Sequence, residues 1–173
     1  MKKLDIFFDT CIINRILYLD KRKSDAKSEE DREYLDKILN LCAEEGKINF
    51  FVNPSVKTEI TNTTNKSRRE KLLKVCSQYN FNPFNKTILP FSFPATFISD
   101  EEVEILNALC EDNPALKKDI KIIADSAFCE EIDVLLTTDR EHLAGKEFHL
   151  QHLEIFTPKE LFEYLSKTLE IKP

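Results

Sequence analysis

Short apolar runs and longer segments of helical period alternate along this chain. Leu4-Asp5-Ile6-Phe7-Phe8 has the length and composition of a strand. Asp9-Thr10 follows as a cap for a helix carrying Ile12, Ile13, Ile16, Leu17 and Leu19. After a polar stretch over 20–28, Tyr34, Leu35, Ile38, Leu39, Leu41 and Cys42 recur at helical spacing, and Gly46 is placed to stop that helix. Ile48-Asn49-Phe50-Phe51-Val52 reads as a second strand. Asn53-Pro54 then supplies a cap residue and a proline at the first position of a helix with Val56, Glu59 and Ile60. A basic helix follows, in which Lys66, Arg68, Arg69, Lys71 and Lys74 surround Leu72, Leu73 and Val75.

The segment over 80–97 is rich in Pro, Asn and Phe and reads as loop with one short strand near 86–89. Ser99 and Glu102 form a capping box before Val103, Ile105, Leu106 and Leu109, and a further helix runs from near Pro114 or Asp119 to about 130. Asp133-Val134-Leu135-Leu136-Thr137 is a strand ending at Thr138-Asp139, and Leu153-Glu154-Ile155-Phe156 is another. Thr157, Pro158 and Glu160 cap a last helix through Leu161, Phe162, Tyr164, Leu165 and Leu169. Apolar strands alternating with amphipathic helices predict an α/β fold of three layers, α/β/α, around a mostly parallel sheet of four to five strands. With 173 residues and no repeat or linker, one domain over 1–173 is expected.

Composition narrows the function. The chain holds only two glycines, too few for a P-loop or a dinucleotide fingerprint. No apolar run approaches the ~18 residues of a membrane span, so a soluble cytoplasmic protein is expected. Its five cysteines contain no C-x-x-C and read as reduced thiols used as small hydrophobes. The net charge of −6 means that a polyanion would have to be held by local basic patches or by bound cations.

Acids stand where strands end. In an open parallel sheet the working crevice lies outside the carboxyl ends of the strands, so Asp9 and Asp139 should converge. Glu59, in the helix after the second strand, is long enough to reach the same edge, and Asp119, at a helix start, offers a fourth carboxylate. Asp125 is the alternative to Asp119; six residues on, it lies roughly 240° around the same helix. Each acid also has a structural reading: Asp9 as a cap, Asp139 as a turn residue before a helix at Arg140-Glu141, Glu59 and Asp119 as solvated helix acids. Clustered carboxylates repel one another and call for a cation, and an all-oxygen set suits Mg²⁺ or Mn²⁺. Such a site fits phosphodiester hydrolysis.

The segments Ile6-Phe7-Phe8-Asp9-Thr10-Cys11-Ile12-Ile13-Asn14-Arg15, Val52-Asn53-Pro54-Ser55-Val56-Lys57-Thr58-Glu59-Ile60, Lys118-Asp119-Ile120-Lys121-Ile122-Ile123-Ala124-Asp125 and Asp133-Val134-Leu135-Leu136-Thr137-Thr138-Asp139 together resemble the PIN (PilT N-terminus) domain family. The resemblance implies a Mg²⁺- or Mn²⁺-dependent endoribonuclease acting on single-stranded RNA, with Asp9, Glu59, Asp119 and Asp139 as its acidic quartet. It adds Thr10 and Thr137 as accessory hydroxyls. Cys11 stands where many members carry Asn, so that accessory polar contact is either missing or supplied by Asn14. Many members are toxins of toxin–antitoxin pairs and many are dimeric, so an antitoxin protein and a second copy of the chain are the partners implied. A catalytically weak PIN scaffold that binds RNA or protein is the competing expectation.

Arg68 and Arg69 on the basic helix are candidate contacts to RNA phosphates. Phe81, Phe84, Phe91, Phe93 and Phe97 suit packing or a dimer contact better than base stacking. His149 and His152 share an H-x-x-H spacing but lack partners for a zinc pattern. Asp9-Thr10-Cys11 lacks the second Asp that a haloacid-dehalogenase phosphatase requires, and the acid pair of a phosphorelay receiver is missing from the first strand's end.

Overall fold

A computed structural model describes residues 4–19, 26–45, 48–52, 54–78, 82–83, 132–141, 143–144 and 153–168, with isolated positions at 104, 107–108, 110–111, 114, 122–123 and 126. The elements over these residues are β1 (Leu4–Phe8), α1 (Thr10–Leu17), α2 (Ala26–Glu45), β2 (Ile48–Val52), α3 (Pro54–Thr61), α4 (Lys66–Gln78), β3 (Asn82–Pro83), β4 (Val134–Leu136), β5 (Glu154–Phe156) and α5 (Pro158–Thr168). Ile122, Ile123 and Ser126 are also helical. The five strands form one sheet in the order β3-β2-β1-β4-β5, and every pairing is parallel. The fold is therefore α/β with a parallel sheet, and the expected strand ends at β1 and β2 are met residue for residue.

The position of each strand in the sheet follows from its sequence. Successive side chains on a strand face opposite sides, so a strand apolar at every position must be covered on both faces. Ile6, Phe7 and Phe8 on β1 and Val134, Leu135 and Leu136 on β4 are all at most 1% exposed, and these strands sit at the centre of the sheet. Glu154 on β5 is exposed, as suits an edge strand. Covering both faces needs helices on both, which is the requirement of a three-layer α/β/α arrangement. α1 packs on α3 and α4, and α2 packs on α5.

Helix faces follow the same logic. Ile12, Ile13 and Ile16 are buried on α1, and Pro158, Leu161 and Leu165 on α5. Neighbouring β-branched residues such as Ile12 and Ile13 are modest helix formers, so α1 owes its stability to this packing more than to propensity. At the start of α5, the Thr157 N–H donates to Glu160 Oε2 at 2.8 Å and the Glu160 N–H donates to Thr157 Oγ1 at 3.4 Å, the reciprocal bonds of a capping box.

Several expectations need revision or fall elsewhere. The chain after Asp139 is a turn through Arg140, Glu141, Leu143 and Ala144 where a helix was expected at Arg140-Glu141. Its backbone bonds close on the Asp139 carbonyl, from Leu143 N at 3.2 Å and Ala144 N at 2.8 Å. The short edge strand β3 lies at 82–83, whereas the expected position at 86–89 is outside the described residues. Also outside them are Gly46, Asn53, the Ser99–Glu102 capping box, Phe81, Phe84, Phe91, Phe93 and Phe97, and His149 and His152. Among the described residues no helix is long and apolar enough to cross a membrane.

Candidate functional site

Strand order and register together create the site. From β1 the chain builds outward through β2 and β3, then returns to lay β4 and β5 on the other side of β1. The topological switch point, where the two halves of a parallel sheet diverge and leave a crevice, is thus between β1 and β4. The register pairs Ile6 with Val134, Phe7 with Leu135 and Phe8 with Leu136, so the next position on each strand brings Asp9 beside Thr137. One more ladder bond, Asp9 N–H to the Leu136 carbonyl at 3.0 Å, fixes this step.

Asp9 has the extended backbone of an N-cap residue, with φ −68° and ψ 156°, yet its side chain makes no capping bond. That corrects the capping reading: the carboxylate turns across the switch point. Its Oδ2 accepts a hydrogen bond from Thr137 Oγ1 at 2.6 Å and another from the Cys11 thiol at 3.0 Å. Thr137 is fully buried and Asp9 is 7% exposed, so the first bond is a charge-assisted one sheltered from water. Thr137 Oγ1 also accepts from the Asp139 N–H at 3.0 Å, which ties the second strand-end acid to the first through one hydroxyl. Asp139 Oδ1 in turn accepts from the Glu141 N–H at 3.0 Å, an Asx turn of the kind that sets the chain direction after a strand.

Cys11 departs from the small-hydrophobe reading. Besides donating to Asp9, its sulfur accepts from the Thr138 N–H at 3.1 Å and stands 3.4 Å from Thr137 Oγ1. Burial pushes the thiol up to about 12, with the negative charge of Asp9 and the bond to it adding to the rise. Cys11 therefore remains a neutral donor to the carboxylate. Cys11, Cys76 and Cys110 are free thiols.

Glu59 is exposed on α3 and is reached from α1: Thr10 Oγ1 donates to Glu59 Oε2 at 2.5 Å. Thr10 follows Asp9 directly, so the two acids approach the N-terminus of α1 from different elements. Among the described residues Asn14 makes its side-chain contacts to a backbone carbonyl and to an arginine. Its Nδ2 donates to the Thr10 carbonyl at 2.9 Å, and its Oδ1 accepts from Arg68 Nη2 at 2.8 Å. Asp119 and Asp125 lie outside the described residues. Among the described residues no three His, Cys, Asp or Glu side chains form a group able to hold a metal ion.

Of the two arginines predicted on α4, the structure separates one from the other. Arg68 faces a cleft of about 370 Å³ that opens beside Cys11 and Thr138, whereas Arg69 donates to the Thr63 carbonyl at 3.2 Å and does not line it. Two further arginines that sequence reasoning missed, Arg15 on α1 and Arg32 on α2, line the same cleft. A signal for Arg32 was present. Leu35, Ile38 and Leu39 mark the buried stripe of α2, and stepping back along it by helical spacing reaches Ser28, Asp31 and Arg32, all buried. Charged residues on an apolar stripe mark a polar contact inside the fold.

Asp31 shows one such contact. It is 1% exposed and accepts from both terminal nitrogens of Arg140, at 2.6 and 3.0 Å, with Arg15 Nη2 at 3.9 Å. This bidentate pair raises the Arg140 guanidinium and anchors the turn that begins at Asp139 to α2. Comparison of the chain with protein-family models, with curated proteins and with solved structures found no match.

Proposed function

We propose that the chain is a metal-dependent ribonuclease of the PIN type that hydrolyses phosphodiester bonds of single-stranded RNA. The observation that carries this reading is the pair of strand-end acids, Asp9 and Asp139, at the switch point of a parallel sheet and joined through Thr137. Glu59 enters the same edge through Thr10. The donor chemistry suits Mg²⁺ or Mn²⁺, since all three side chains offer hard carboxylate oxygens. Asp9, Glu59 and Asp139 would hold the ion only together with Asp119 or Asp125, since among the described residues no three such side chains form a metal-holding group by themselves. When bound it would polarise a phosphoryl oxygen and activate water.

The chain's own residues supply position. Thr137 and Cys11 both hold Asp9 by Oδ2, and no described residue donates to Oδ1. One carboxylate oxygen is thus fixed by the protein and the other is left for the crevice. Thr10 similarly engages a single oxygen of Glu59. Such orientation is what a site for in-line attack requires of its scaffold.

The test is incubation of single-stranded RNA with wild type, Asp9→Asn and Asp139→Asn in Mn²⁺, with product length read on a denaturing gel. Wild type should cut, both variants should leave the RNA at background, and chelation should stop the reaction. RNA left intact by wild type, or cut equally by both variants, sinks the nuclease reading. Binding without cutting would turn it to an RNA-binding module.

A further inference from the structure

We propose that the cleft between α1, α2 and the start of α4 is a phosphate subsite, which holds a backbone phosphate of the RNA strand next to the linkage presented to Asp9. This rests on the ribonuclease reading and names how the strand would be gripped without metal. The cleft, about 370 Å³, falls in the range of ligand sites and exceeds by roughly tenfold the ~30 Å³ share of one liquid water. Arg15, Arg32 and Arg68 line it, and no carboxylate among the described residues does. In a chain of net charge −6 that local excess of arginine is a departure from the whole.

The arginines are built in. Arg32 is 9% exposed; its Nη2 binds Glu29 Oε1 at 2.7 Å and its buried Nε has no hydrogen-bond partner. A buried guanidinium N–H left unpaired is unfavourable, and Arg32 lines the cleft, so its charge is available to an anion that enters there. Arg15 is held by Ser28 Oγ and shares the single carboxylate of Asp31 with Arg140. Arg68 is positioned by an uncharged group, the Asn14 carboxamide, and so brings its full charge to the cleft. Planar forks fixed in this way suit the oxygens of a phosphate group. Cys11 and Thr138 belong both to the cleft wall and to the Asp9 cluster, so a strand seated here would lead directly to the strand-end acids.

The experiment measures binding of a fluorescein-labelled oligouridylate by anisotropy in EDTA, where no cutting occurs. Arg32→Gln and Arg68→Ala are compared with Lys74→Ala, which removes the same charge from exposed α4 surface outside the cleft. Loss of one charge-assisted contact should weaken binding roughly ten- to hundredfold in the arginine variants and reduce the salt slope by about 0.7. Lys74→Ala should change affinity by less than about threefold, because screening confines its effect at ordinary salt. Inorganic phosphate should compete, and oligoglutamate of equal charge should compete poorly. Because Arg32→Gln alters a buried group, Arg68→Ala on the exposed helix decides the matter if the former fails to fold. Wild-type affinity and salt slope in Arg68→Ala, or equal competition by oligoglutamate, overturns the subsite even if the chain cuts RNA. Arginine-dependent binding by a wild type that never cuts RNA upholds the subsite and sinks the nuclease reading.

Discussion

Replacing Thr137 by Val separates the polar role of this residue from its packing. Val keeps the shape of Thr and removes only the hydroxyl, which in the native protein donates to Asp9 Oδ2 at 2.6 Å and accepts from the Asp139 N–H at 3.0 Å in a fully buried position. The first loss is a charge-assisted bond of about 1.5–3 kcal/mol, and the second strands a backbone donor for about 1–3 kcal/mol. Cys11 still donates to the same carboxylate oxygen, and Asp139 is less deeply buried, so both losses fall toward their lower ends. The sum is about 3 kcal/mol, or a fall in Tm of roughly 6–12 °C for a domain of this size. Thr137→Ser keeps the hydroxyl and deletes one methyl, for about 1 kcal/mol. Urea denaturation, read as a midpoint shift at unchanged m, tests the ordering wild type, Ser, Val. Were apolar packing the dominant role of Thr137, the order of the two variants would reverse; a Val variant as stable as the Ser variant refutes the reasoning.

Arg140→Met should destabilise the fold by about 3 kcal/mol, because it leaves Asp31, 1% exposed, with Arg15 at 3.9 Å as its one remaining cation among the described residues. Adding Asp31→Leu should restore most of the loss, and a double variant no better than the single one by thermal denaturation would count against a buried ion pair as its source. Ionisation of Cys11 near 12 predicts slow alkylation in the metal-free native protein at pH about 8 and rapid alkylation after unfolding, measured by mass spectrometry of the Cys11 peptide. The sign follows: the native state holds the thiol proton above the unfolded value of 9.0, so this group's contribution to stability is full below about 9 and is lost as pH rises toward 12. Equal labelling rates in both states at about pH 8 would contradict the neutral, hydrogen-bonded thiol.

What the sequence makes legible here is whatever one element specifies by itself. Strand bounds at β1 and β2 follow from uninterrupted apolar runs, and the Thr157–Glu160 box is local enough that both its bonds are realised. Asp9 beside Thr137 is a longer inference, available because period-two register at a switch point fixes neighbours in space. Apart from the turn after Asp139, which local backbone bonds close where a helix was expected, the misses involve polar groups meeting across elements. Cys11 looks apolar within α1, yet its sulfur joins a carboxylate and a backbone N–H 127 positions away. Asp9 looks like a cap by position, but Thr137 competes for its carboxylate and wins because that bond is buried. Arg15 and Arg32 sit on separate helices joined by a polar segment, and nothing in either helix alone announces that they line one cleft.

Charge is where the whole chain misleads most about its parts. A net of −6 argues against a surface that binds RNA by neutralising many phosphates, and the five basic residues Lys66, Arg68, Arg69, Lys71 and Lys74 look like the only remedy. If that helix face alone held single-stranded RNA, log K against log salt would fall with a slope of about −3.5, at roughly −0.7 per contact. The cleft offers three arginines, two of them partly offset by Glu29 and Asp31, and so predicts a slope no steeper than about −2. Affinity would then depend on hydrogen bonds made by guanidinium groups already fixed in place, which salt screens weakly, more than on diffuse attraction to an exposed helix. An acidic chain can grip a polyanion on these terms, because the arginines need act only over the few ångströms of one cleft.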